Sequence, residues 1–204
     1  MFTENEIDGL ISFPAIKDAT ANLKKKFIAE EAPYLEIDDH DFLSLVMLTP
    51  SVGISLANGS VSLFEEIALN KKARKLSKGG YWMKKDPVVV SMGHFIEHFD
   101  KWSDLFYEHL KFVMQITFNR DEIMKSNVSG DDVSDVDFCI EILRSPFIFI
   151  RFLTSFFLDD EDEDIVSERR ISKVEKDRIL EIAEKVDFHN IPLFVKFASK
   201  LVVK

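Results

Sequence analysis

The sequence predicts an all-α protein of about seven or eight helices forming one domain over 1–204, on three observations. First, 46% hydrophobic residues, with 19 phenylalanines among 204, supply ample material for a core without metals or disulfides. Second, only 7 Gly and 6 Pro leave little for the tight turns of an all-β protein. Third, Ser/Thr-x-x-Glu boxes recur ahead of apolar runs at i, i+3, i+4 spacing, the signature of a capped amphipathic helix.

Thr3 and Glu6 cap a short helix carrying Ile7, Leu10 and Ile11, which Pro14 closes. The stripe Ile16, Ala19, Leu23, Phe27, Ile28 predicts a helix over 15–31, ended by Pro33. Asp38 caps the next, with Phe42, Leu45, Val46 and Leu48 inside and Pro50 as its stop. Between Ser51 and Leu63, Val52, Ile54 and Leu56 alternate with small residues before Asn58-Gly59. That pattern predicts at most a short hairpin near 51–63. Ser62 and Glu65 then cap a helix over 63–76, which Gly79-Gly80 breaks.

The longest periodic segment runs from Asp86-Pro87 to about Phe118. Its cap is either Asp86 or Ser91, because Val88-Val89-Val90 disfavours a helix start. A polar stretch, 126–134, offers the one weak subdivision of the chain. The piece beyond it holds only about 75 residues, near the lower limit for independent folding, so a single domain is the better reading. Val136–Leu158 predicts buried helix interrupted at Pro146, with Phe149 and Phe152 in the core. Ser172 and Glu175 cap a helix to about Val186, and Pro192 opens a last one over 193–203.

The most apolar window, Phe138–Leu158, carries Glu141, Arg144, Pro146 and Arg151, which argues against a transmembrane segment. The first residues carry Glu4, Glu6 and Asp8 where a signal peptide needs positive charge. The lone Cys139, set among apolar residues, reads as a small buried hydrophobe. Together these give the expectation of a cytoplasmic protein. A net charge of −10 disfavours general nucleic-acid or anionic-membrane binding while leaving room for a local basic patch.

Such a patch exists. Lys71, Lys72, Arg74, Lys75, Lys78, Lys84 and Lys85 place seven cations in a window that holds no acid. Elsewhere 19 Lys and Arg face 36 Asp and Glu, a balance of −17. Tyr81 and Trp82 sit inside the cluster, where aromatic rings beside cations suit an interface anchor. Arg74, Lys78, Tyr81, Trp82, Lys84 and Lys85 are therefore the candidate partner-binding residues, and the expected partner is a protein, acidic by complementarity. Against this stands a solvated helix end with Trp82 folded inward. Surplus aromatic surface adds an expectation of self-association. Asp159–Asp164, six acids in a row, reads as a solvated connection able to fold against the cations in the same chain or a neighbour.

The second candidate is His94-Phe95-Ile96-Glu97-His98, which matches the inverted zinc motif H-x-x-E-H. Histidines four apart on one helix leave the same face and can share a metal. A third ligand has no recognisable place, and His109, roughly 16 Å further along a helix, cannot join His98. The competing reading makes all three boundary histidines, satisfied by carboxylates or water, and it takes precedence. Asp39-His40-Asp41 reads as the acidic first turn of a helix. Phosphate-binding loops and nucleophile elbows are missing. The functional expectation is thus a non-enzymatic protein-binding, regulatory or adaptor module without a cofactor. The alternative is a small helical zinc protein or metal-dependent hydrolase using His94, Glu97 and His98.

Overall fold

Capping boxes set three helix starts where the sequence puts them. Thr3 opens α1 (Glu4–Ile11), Ser62 opens α5 (Leu63–Leu76), and Ser172 opens α8 (Lys173–Lys185). The computed structural model describes residues 3–79, 85–117 and 168–204. Three quarters of these residues are helical, so the all-α class stands. The remaining helices are α2 (Pro14–Glu31), α3 (Asp39–Met47), α4 (Thr49–Ser55), α6 (Pro87–Glu97), α7 (Phe99–Thr117) and α9 (Pro192–Ser199). This makes nine among the described residues. Tyr81, Trp82, Lys84, Cys139, the 126–134 stretch, Val136–Leu158 with Phe149 and Phe152, and Asp159–Asp164 lie outside them.

The limit of at most a short hairpin near 51–63 stands, and three other expectations are corrected. No hairpin forms near 51–63: α4 and a 3-10 turn over Leu56–Asn58 occupy most of it, ending at Gly59 with φ 89°. Every residue from His40 to Ser55 is buried, so the alternation of Val52, Ile54 and Leu56 with small residues reflects a helix enclosed on all sides. Pro50 does not stop a helix but lies in the first turn of α4, where its missing N–H costs nothing. The long periodic segment is two helices, broken at His98 (φ −120°, ψ 29°), whose N–H is shared between the carbonyls of His94 and Phe95. Asp86 caps α6, accepting from the N–H groups of Val88 and Val89, while Ser91 lies inside it.

Lastly, α9 ends at Ser199, and Leu201–Val203 forms a strand, β2. It pairs in parallel with β1 (Arg169–Ile171), with Arg169 opposite Leu201 and Ile171 opposite Val203. No short-range signal marks this pairing, because its partners are 32 residues apart in the register.

One apolar cluster draws residues from every described helix and from both strands. At its centre Phe27 meets Trp102 edge-on at 5.0 Å and Phe42 at 5.7 Å, while Phe95 stacks on Phe106 at 4.6 Å. The stripe Phe95, Phe99, Trp102, Phe106, Leu110, Val113 survives the break at His98, and all six side chains are buried. Among the described residues no single helix is long and apolar enough to cross a membrane. Asp39–Met47 with Thr49–Asn58 passes only as a pair bent by 40°, and that pair runs through the core.

Candidate functional site

Helix α5 is apolar on two opposite sides. Leu69, Ala73 and Leu76 form its inner face and are buried. On the outer side Leu63 is 68% exposed, Phe64 83% and Ile67 57%, far beyond ordinary leftover apolar surface. At about 100° per residue, Leu63, Phe64, Ile67, Lys71, Arg74 and Lys75 share an arc of about 120°. The stripe is therefore apolar over its first two turns and cationic over its last two. Beside the junction a groove of about 530 Å³ is lined by Ile67, Asn70, Lys71, Arg74 and Lys75. The cations at the helix C-terminus also complement its dipole.

Sequence reasoning located the cations but missed the apolar half. The sequence shows two apolar arcs, one with Leu63, Phe64 and Ile67 and one with Leu69, Ala73 and Leu76, but only the fold decides which of them is left in solvent.

The chain leaving α5 is clamped to the start of α3. Ser44 Oγ donates to Leu76 O at 2.9 Å, Lys78 N–H to Asp41 Oδ1 at 3.0 Å, and Lys78 Nζ to Asp38 Oδ2 at 3.1 Å. Burial pushes the Asp38 carboxyl up, but the Asp41 N–H and the Lys78 ammonium outweigh it and hold the group below its ordinary value. Hydrogen bonding to Asp38 raises Lys78 in turn. Behind them, buried His40 meets Asp41 Oδ1 through Nδ1 at 3.1 Å and the Glu4 carbonyl through Nε2 at 3.3 Å. So Lys78, grouped with the docking cations on sequence, closes an internal clamp joining α1, α3 and the exit of α5. Arg74 and Lys85 are exposed.

Asp38, His40 and Asp41 are also the one group of three ligating residues, among those described, whose donor atoms all lie within 4.8 Å of one another. Several of their lone pairs are already taken. Asp38 serves Asp41 N–H and Lys78, and Asp41 Oδ1 serves Lys78 N–H and His40, so a cation would have to displace an ammonium and backbone donors. Adjacent residues on a helix diverge, which hid this cluster on sequence. Asp38 converges with them because it is the cap, still outside the helix.

His94, Glu97 and His98 form no such group. His94 lies in the last turn of α6 and His98 at the break, with Nδ1 3.1 Å from the His94 carbonyl and 3.3 Å from Glu31 Oε2. Glu31, its side chain buried, also accepts from Lys101 and, at 2.7 Å, from the Trp102 indole N–H. The Lys101 hydrogen bond is the main cause holding its carboxyl below the usual range. His109, on α7, is buried against Thr20 Oγ1 at 2.9 Å, and burial lowers it to about 4.

These features define an all-α protein that holds an amphipathic helix face open to solvent beside a clamped, cation-rich exit. No protein-family model, curated protein or solved structure matches the chain.

Proposed function

We propose that the protein is a non-enzymatic binding module, regulatory or adaptor in role, that receives a protein partner on the outer face of α5. The observation that carries the reading is the exposed trio Leu63, Phe64 and Ile67 running into Lys71, Arg74 and Lys75 on one arc. Leu63, Phe64 and Ile67, at i, i+1 and i+4, meet on one side of the helix, where large apolar side chains act as anchors and flanking charge sets register and rate. Asn70 and the cations frame a depression next to Ile67, a place for a partner's protruding side chain.

The test is photo-crosslinking in the native cell from a reactive residue placed at Ala68, beside the trio. Wild type and a Phe64→Glu, Ile67→Glu double variant are compared. Both side chains face solvent, so the variant should keep its circular dichroism and melting temperature while losing the crosslinked protein. Equal recovery from the two folded proteins would remove α5 from the functional account.

A further inference from the structure

We propose that Asn58 is a site of spontaneous chemical modification, at which the folded protein converts asparagine to aspartate and isoaspartate through a cyclic imide. This chemistry is independent of what α5 binds. Asn58 is the only asparagine of the chain that precedes a glycine. Ring closure brings the backbone nitrogen of the next residue onto the Asn58 Cγ, and a side chain on that residue obstructs it. Here the space is open, because a Cβ at Gly59 would meet nothing within 4 Å. Asn58, Gly59 and Ser60 are all exposed, so hydroxide and water reach the reacting atoms. Among the described residues nothing hydrogen-bonds the Asn58 carboxamide.

The nucleophile is held lightly. Gly59 N–H donates to Leu56 O at 2.9 Å, closing the 3-10 turn Leu56–Asn58, and Gly59 itself takes φ 89°. The N–H is thereby turned towards Leu56, so the turn must open before the ring can close. A single solvent-exposed hydrogen bond at the end of a one-turn helix stands in the way, and losing it lowers the reactive population by about tenfold or less. The nearest chemical relative is Asp8-Gly9. It lies inside α1, where Ser12 N–H donates to Asp8 O at 3.1 Å, and its carboxylate is a poorer electrophile than an amide.

The reaction needs only hydroxide and water. Hydroxide removes the Gly59 amide proton, the nitrogen forms a bond to Cγ, and the Cγ–Nδ2 bond breaks with release of ammonia. Water then opens the imide. Attack at Cγ restores the ordinary backbone as aspartate, and attack at the main-chain carbonyl carbon leaves isoaspartate, with the chain routed through Cγ. Either product adds a negative charge to the connection before Ser62, the cap of α5. Isoaspartate also lengthens that connection by a carbon atom.

The full-length protein is incubated near pH 6 and near pH 8 beside a free peptide of residues 54–62. Isoaspartate is read by methyl transfer from S-adenosylmethionine, with an isoaspartyl methyltransferase as the probe, and peptide mapping of the wild type places it. The methyl label should appear at Asn58, faster at the higher pH, at a rate within about tenfold of the free peptide's. Asn58→Gln should abolish it, because the longer side chain would have to close a six-membered ring. Hydrogen exchange supplies a measurement that needs no variant: the Gly59 amide should exchange within about tenfold of an unstructured amide. Isoaspartate found only at Asp8 or at other positions would overturn the proposal. So would slowing at Asn58, or protection of the Gly59 amide, well beyond that margin.

Discussion

Gly53 on α4 lies directly beneath the Tyr107 hydroxyl on α7: a Cβ at Gly53 would stand 2.5 Å from that oxygen and 3.1 Å from Phe99 Cζ. The hydroxyl is buried and has no hydrogen-bond partner, and desolvation drives its titration well above the ordinary tyrosine range. The glycine is there for close approach.

Gly53→Ala should therefore cost about 1–3 kcal/mol by overpacking, read as a lower urea midpoint with an unchanged slope. Tyr107→Phe removes a buried orphan and should be neutral or stabilising. In the double variant Tyr107→Phe should recover part of the Gly53→Ala loss. Strict additivity would mean that the two positions do not meet.

His109 should make the protein acid-sensitive well above the carboxylate range. Its folded value, about 4, is below the unfolded 6.5, so protonation favours the unfolded chain. Its contribution is fully present above pH 6.5 and is lost as the pH falls towards 4, amounting to up to about 3 kcal/mol. Urea midpoints measured from pH 7.5 to 4.5 should fall in wild type, and the slope should flatten in His109→Gln. A parallel decline in the two proteins would place the sensitivity elsewhere.

Glu31 binds the broken helix to α2. Glu31→Ala strips the partner from the Trp102 indole N–H and should cost about 1–3 kcal/mol. Because the Glu31 carboxyl is held low in the folded state, its support is present above the usual glutamate range and is lost as the pH falls below it. A Trp102 fluorescence shift should accompany that loss in wild type and be absent in Glu31→Gln.

The clamp should show a steep difference between its members. Asp41, fully buried, serves His40 and the Lys78 N–H, so Asp41→Ala should cost about 3–5 kcal/mol. The Lys78 ammonium is half exposed, and Lys78→Ala should cost about 1 kcal/mol or less. Equal losses in thermal melts would mean that the ammonium rather than the backbone contact holds the exit of α5.

The helix starts were legible because a capping box is a local arrangement, complete within four residues, as at Thr3, Ser62 and Ser172. What escaped depends on remote partners. The enclosure of Val52 and Ile54 needs α7 and α8, and the strand at Leu201 needs Arg169. At His98 no proline or glycine announces the break, and the group that receives its ring, Glu31, comes from another helix. The site was half legible for the same reason. A run of cations is visible in the chain itself, whereas the exposure of Leu63, Phe64 and Ile67 emerges only once Leu69, Ala73 and Leu76 have claimed the other face.

The packing of α4 against α8 has a consequence for synthesis. Ile182 comes within 3.4 Å of the Gly53 position, although some 130 residues separate them in the chain. A ribosome adding about 5–20 residues per second leaves the apolar side of α4 uncovered for several seconds before α8 emerges. During that interval the nascent N-terminal half exposes apolar surface of the kind that makes incomplete chains prone to aggregate. Slowing translation between residues 60 and 180 should lengthen the exposure and raise the aggregated fraction, even though the finished protein is identical.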